Sequence, residues 1–215
     1  MNNRLESRNQ LQNGLGWKST LISGFNKLSN ILPDADSNSR RAFPGEAHAV
    51  SKNKEGRIVR SSWTGPGTFA MARLKREPRG TEYPWMSGDP PRNYADLISR
   101  RHDLSYTLAR DSDDIARADR RMLSDIQKAR KLKKDVEINL RPAELGIRGK
   151  VLAEKFSLLD KNAFVSTKPP SASDRALAQG ELDKMESHGM GRPGELLLKN
   201  LGKHVLKKRR RRRGA

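Results

Sequence analysis

The chain of 215 residues has no cysteine, which excludes a disulfide framework and any thiolate metal site. Aromatic residues make up only 5% and hydrophobic residues 34%, against 32% charged. That is too little apolar material to pack the whole length into one core, so a modest folded unit with polar flanks is expected. No apolar run approaches the roughly 20 residues that span a bilayer. The start, MNNRLESRNQ, leads into no signal-peptide core, so the expectation is a soluble protein not exported by that route. Acid is scarce as well: 25 Asp and Glu stand against 44 Lys and Arg, a net charge of +19. Such an excess predicts a polyanionic partner, either nucleic acid or an anionic membrane surface.

Composition divides what is there into three parts: a polar N-terminal region (1–57), a denser block (58–165) and a basic C-terminal tail (166–215). In the first, residues 1–16 are expected to lack fixed structure. Trp17, Leu21, Phe25, Leu28, Ile31 and Leu32 then recur at helical spacing until Pro33. That helix either docks on the core or a partner, or lies at a membrane interface. Residues 34–57 read as a linker. In the block, the short apolar stretch IVRSSW runs into TGPGT and then an irregular basic loop rich in Pro and Gly. Asn93, with Asp96 three residues on, predicts an N-cap and a variant capping box for a helix over 94–110. Its inward face by spacing is Ala95, Ile98, His102, Ser105 and Ala109. A second helix follows the caps DSDD (111–114) and runs to about residue 133, burying Ile115, Asp119, Met122, Ile126 and Ala129. The short connection makes the two antiparallel neighbours. A third helix is expected over about 149–162, one over 173–188, and a last one from Glu195 into the basic run Lys207–Arg213.

His102 and Asp119 thus fall on otherwise apolar stripes of two facing helices. A buried carboxylate beside an imidazole fixes its tautomer and leaves the other ring nitrogen free as a general base. Asp103 points about 100° away from His102 around the helix, toward a different ligand. The glycines of Trp63–Thr68, WTGPGT, allow a sharp turn that aims carbonyl oxygens inward. Carbonyls plus one carboxylate form the oxygen-rich set that suits Ca²⁺.

In this order, WTGPGT, GDPPRNYAD, RHDLSY and ADRRM resemble the phospholipase A2 domain in the unique N-terminal region of the parvovirus minor capsid protein, and LGIRGKVLAEK is similar to the segment that follows there. The resemblance covers roughly residues 58–160. It implies a mainly α fold: a disulfide-free phospholipase A2-like core of two antiparallel helices with an N-terminal calcium loop and flexible basic flanks. By motif position, His102 would be the base that takes a proton from water, with Asp119 orienting it and the Tyr106 hydroxyl in support. Asp103 would hold Ca²⁺ with the main-chain carbonyls of Trp63, Gly65 and Gly67.

The sequence departs from the family pattern in several places. Trp63 replaces Tyr, Thr68 replaces Asn, and Met122 replaces an aromatic residue. The stretch before His102 is longer than usual, and its inserted basic part, 69–87, is expected either to contact membrane or to distort the site. The step from His102 to Asp119 is short, which requires a tighter helix pair, with Asp114 as the second choice of orienting carboxylate.

The run Lys207–Arg213 cannot pack, and as a cationic arm it predicts nucleic-acid binding, nuclear import or a tether to anionic lipid. Together these features predict a virion-associated, calcium-dependent phospholipase A2 acting on a phospholipid membrane as a virus crosses it. The expected location is then the virion and the host endosomal membrane, with the nucleus also open and other capsid proteins as further partners. The alternatives are a catalytically silent basic virion protein that binds or condenses the genome on the same scaffold, and a cellular phospholipase-like protein.

Overall fold

A computed structural model describes residues 43, 46, 48–53, 55–77, 83–166 and 169–190. The amphipathic stretch Trp17–Leu32, the helix expected from Glu195 and the run Lys207–Arg213 lie outside them. Within them the chain is mainly helical, with one antiparallel pair of short strands, β1 (Val50–Lys52) and β2 (Ile58–Arg60). The helices are α1 (Ala70–Leu74), α2 (Tyr94–Leu108), α3 (Ser112–Lys131), α4 (Glu137–Lys155) and α5 (Ala172–Ser187).

The strands pair with Ser51 opposite Val59, and the tight turn between them needs Gly56 at φ +78°. This hairpin falls partly in the expected linker. Both Asn93 and Asn139 donate their side-chain amides to the Lys52 carbonyl, so it is stapled to the starts of α2 and α4. Asn93 caps α2, accepting from the Asp96 amide, and Asp111 caps α3, accepting from the Asp114 amide.

Only Ala109–Asp111 separate α2 from α3. Arg101 of α2 meets Asp125 of α3, while Tyr106, a turn further on, meets Asp119. The pairs run in opposite order along the two helices, so α2 and α3 are antiparallel. Ile98, Leu104, Met122, Ile126, Ala129 and Leu140 form the centre of the core. Ser105, expected inward, is half-buried and returns its hydroxyl to the Arg101 carbonyl.

Three expectations are corrected. The third helix is not 149–162: it begins at Glu137 and ends at Lys155, and Phe156 and Leu158 beyond it are exposed rather than packed. Pro142 sits inside the helix, in the second turn. The one bond it withholds would go to the carbonyl of Ile138, a residue more than half exposed.

The inserted stretch 69–87 is not simply an irregular loop where it is described, since it carries α1 and is anchored in the core while Phe69 stays half exposed. Leu74 and Met86 are core residues, and Arg73 is buried between Glu46 and Asp89. Gly88 seals this contact at φ +73°, because a Cβ there would lie 2.3 Å from the Arg73 carbonyl oxygen.

The packed unit is also wider than 58–165. On one side it includes Glu46 and His48. On the other it includes α5, whose Ala178, Glu181 and Met185 are buried against α2 and the 83–89 loop.

Candidate active site

α2 carries His102 on its buried face and α3 carries Asp119 opposite. The His102 Nε2 lies 2.8 Å from Asp119 Oδ1, and the Tyr106 hydroxyl donates to the same oxygen at 2.5 Å. The two rings pack at 4.1 Å between centroids. Asp119 can only accept while ionised, so Nε2 carries a proton, and in the neutral imidazole the lone pair is at Nδ1. Asp114 is not the orienting carboxylate: it lies at the exposed start of α3, bonded to Arg110 and Arg117. The three-residue turn brings Asp119, two turns into α3, level with His102, so the short step is accommodated without it.

Asp119 has a third partner outside the sequence expectation. Lys150 of α4 donates to Asp119 Oδ2 at 2.6 Å and also meets Glu154 at 2.6 Å. Its ammonium is buried, 5.1 Å from the Phe164 ring, which in turn lies 6.1 Å from the Tyr106 ring. A lone Lys among the many of this chain carries no sequence signal. Only the position of α4 reveals it.

The electrostatics follow from these contacts. Burial pushes Asp119 up, but the hydrogen bonds from His102, Lys150 and Tyr106 outweigh it and hold the carboxyl below its ordinary value. Burial disfavours the charged form of His102, but the hydrogen bonds and charges of Asp103 and Asp119 outweigh it and raise the imidazole. Tyr106 is pushed far above its ordinary value, by burial and then by the Asp119 charge, and stays a donor.

Asp103 occupies the neighbouring position. Its Oδ1 is 3.5 Å from His102 Nδ1, and its Oδ2 is buried with no hydrogen-bond partner. Burial pushes the carboxyl up to about 6, with His102 opposing.

The glycine loop lies on the wall of the same cavity as Asp103 and His102, a space of about 940 Å³. The Thr68 hydroxyl is 3.3 Å from the Trp63 carbonyl oxygen and 3.1 Å from that of Gly65, so both carbonyls point at one spot. Gly67, at φ +79°, makes the turn. No hydrogen bond joins the Gly67 carbonyl or the Asp103 carboxylate to this group. Trp63 itself is a core anchor, its indole donating to the Asp89 carbonyl at 2.9 Å and stacked under Arg100 at 4.7 Å.

What aims the loop is Asp96, read from sequence as half of a capping box. Its carboxylate does not reach back to the cap. It accepts from the amides of Ser62, Trp63, Thr64 and Arg92 and from the Thr64 hydroxyl. With the amides of 62–64 turned onto one carboxylate, the Ala49 amide takes the Thr64 carbonyl at 2.7 Å and ties the loop to the hairpin.

No set of three or more His, Cys, Asp or Glu side chains able to hold a metal occurs among the described residues. A cation here would rest on one carboxylate plus carbonyl oxygens, a hard, oxygen-only set that fits Ca²⁺ and not a transition metal. Of that set the structure supplies one unpartnered Asp103 oxygen and the Trp63 and Gly65 carbonyls, which here accept from the Thr68 hydroxyl. Searches against family models, curated proteins and solved structures find no match for this chain.

Proposed function

We propose that this chain is a calcium-dependent phospholipase A2-like hydrolase that cleaves the sn-2 ester of phospholipids on a phospholipase A2-like core of paired helices. The observation that carries the proposal is the His102–Asp119 pair, with Nε2 committed to Asp119 and Nδ1 on the side of Asp103, both His102 and Asp103 lining a roomy cavity. The ordered motifs that resemble the parvovirus domain support the same reading, as does the lack of cysteine.

In the reaction, His102 Nδ1 takes a proton from a water in the cavity as the water oxygen attacks the sn-2 carbonyl carbon. Asp119 stabilises the imidazolium that forms, and Tyr106 and Lys150 keep that carboxylate in place. The tetrahedral species collapses with return of the proton from Nδ1 to the departing glycerol oxygen. This releases a fatty acid and a lysophospholipid. When bound at Asp103 and the carbonyls of Trp63, Gly65 and Gly67, Ca²⁺ supplies positive charge to the lipid phosphate and to the developing oxyanion.

The cavity is walled by apolar groups such as Met71, Met122, Ala143, Ile147 and Phe164, surroundings that suit an acyl chain. By the same resemblance, the setting is a virion-associated protein acting on a host membrane, with the basic tail available to nucleic acid or nuclear import.

The test is fatty-acid release from phosphatidylcholine vesicles. Release is expected with millimolar Ca²⁺, lost in EDTA and lost in His102→Ala. If the intact protein releases none with Ca²⁺ present, the silent genome-binding scaffold becomes the better reading.

A further inference from the structure

α4 presents three different faces, and their order around the helix points to a membrane-docking surface. Pro142, Ala143, Gly146, Ile147 and Lys150 line the cavity. Ile138, Leu145 and Leu152 recur every seven residues on the outer side and are 54%, 66% and 55% exposed, with Phe156 continuing the row at 63%. At about 100° per residue this row falls within an arc of about 40°, next to the cavity-facing arc. Leu145 points outward while Gly146, the next residue, lines the cavity. On its far side the row is bordered by Arg141, Arg148 and Lys155, also seven apart and exposed. The acidic residues of this side, Glu137 and Glu144, are shared between Arg130 from α3 and the border residues Arg141 and Arg148, three cations to two carboxylates, so with Lys155 the border keeps a net positive charge.

Gly146 and Gly149 stand between the apolar row and the cavity. A Cβ on either would meet nothing within 4 Å. Packing does not demand their small size, and its effect is a low lip between the row and the cavity. An apolar row beside a basic row is the pattern of a helix lying in a lipid headgroup region, where leucines insert and cations meet anionic headgroups.

We propose that the outer face of α4, Ile138–Leu145–Leu152–Phe156 with Arg141, Arg148 and Lys155, docks on an anionic phospholipid surface and sets the cavity mouth against it. The charge of +19 over the whole chain favours this occupant. The proposal rests on the hydrolase reading for its purpose but not for its test.

Because the chain has no cysteine, a single substituted thiol can carry an environment-sensitive fluorophore. Leu145→Cys and Leu152→Cys are labelled, with Arg120→Cys on the exposed side of α3 as the reference. Each is mixed with vesicles of phosphatidylcholine and phosphatidylglycerol in EDTA. Blue-shifted, brighter emission is expected at 145 and 152 and no change at 120. A silent label at 152 on protein that sediments with the vesicles overturns the proposal, because another surface then does the binding. Shielding at 152 without lipid also overturns it, indicating a second copy if it rises with protein concentration and a segment of the chain itself if it does not.

In the second arm, Leu145→Ser/Leu152→Ser/Phe156→Ser should lower vesicle hydrolysis at least about tenfold while leaving hydrolysis of a monomeric short-chain phosphatidylcholine unchanged. Unchanged vesicle hydrolysis overturns the docking surface. Lipid-responsive labels on a protein that cleaves neither substrate would retain the surface and reject the hydrolase reading.

Discussion

Replacing Asp103 by asparagine should make the calcium-free protein more stable at neutral pH while removing its response to Ca²⁺. The carboxyl is raised from 3.8 to about 6, chiefly by burial, and its Oδ2 has no partner. Because the folded value is raised, this group's contribution to stability is greatest below the unfolded value near 3.8 and is lost as pH climbs through about 6. A difference of about two units corresponds to about 3 kcal/mol at neutral pH. The side chain is 18% exposed, so solvent screening removes only part of that figure. In the Asp103→Asn variant the charge is gone and so is the loss. For a fold of this size, 1 kcal/mol moves the midpoint by about 2–4 °C, so the variant should melt several degrees above the parent in EDTA. Calcium should close most or all of that gap, since a ligand present at about 100 times its Kd stabilises the parent by about 2.7 kcal/mol and the variant hardly at all. Thermal melts at pH 4 and pH 7, with EDTA or with Ca²⁺, give the comparison. Equal melting of the two proteins in EDTA at neutral pH, or equal gains from Ca²⁺, would refute Asp103 as a cation ligand kept waiting by desolvation.

Asp96→Ala leaves the amides of Ser62, Trp63, Thr64 and Arg92 without their acceptor, at about 1–3 kcal/mol each before water relieves some of them. Urea unfolding should show at least ~3 kcal/mol lost, and calcium-dependent activity should fall with it. Tyr106→Phe removes one of three donors to Asp119, so stability should drop by about 1 kcal/mol and turnover by less than about tenfold, read from urea midpoints and initial rates. Gly88→Ala combines a left-handed backbone with a Cβ 2.3 Å from the Arg73 carbonyl oxygen, so expression should yield little folded protein by circular dichroism.

The His102–Asp119 contact was legible because helical period puts both residues on buried stripes, and a turn of three residues sets the two helices side by side. α5 was equally legible from its spacing, capped by Ser171. The reading failed where one residue serves two purposes. Asp96 has the spacing of a capping residue, and nothing local shows that its carboxylate turns away to collect the amides of a loop more than 30 residues earlier. The third helix was placed too late in the chain because apolar periodicity over 149–162 reports a stripe but not where the helix begins.

In a Cys-free chain with few aromatic residues, buried ion pairs do the cross-linking. Arg73 joins Glu46 to Asp89, Arg100 joins Glu181 of α5 to the 87–89 loop, and Arg101 joins Asp125. Desolvation offsets most of the attraction in such pairs, so they are a weak source of stability. Their effect is geometric, since each partner left alone would be a buried, unpaired charge and only one arrangement satisfies them together. Arg100 and Arg101 immediately precede His102, and Asp89 also receives the indole of Trp63 at the start of the glycine loop. The pairs thus brace both walls of the cavity from behind, and His102 lines a space whose shape does not depend on disulfides.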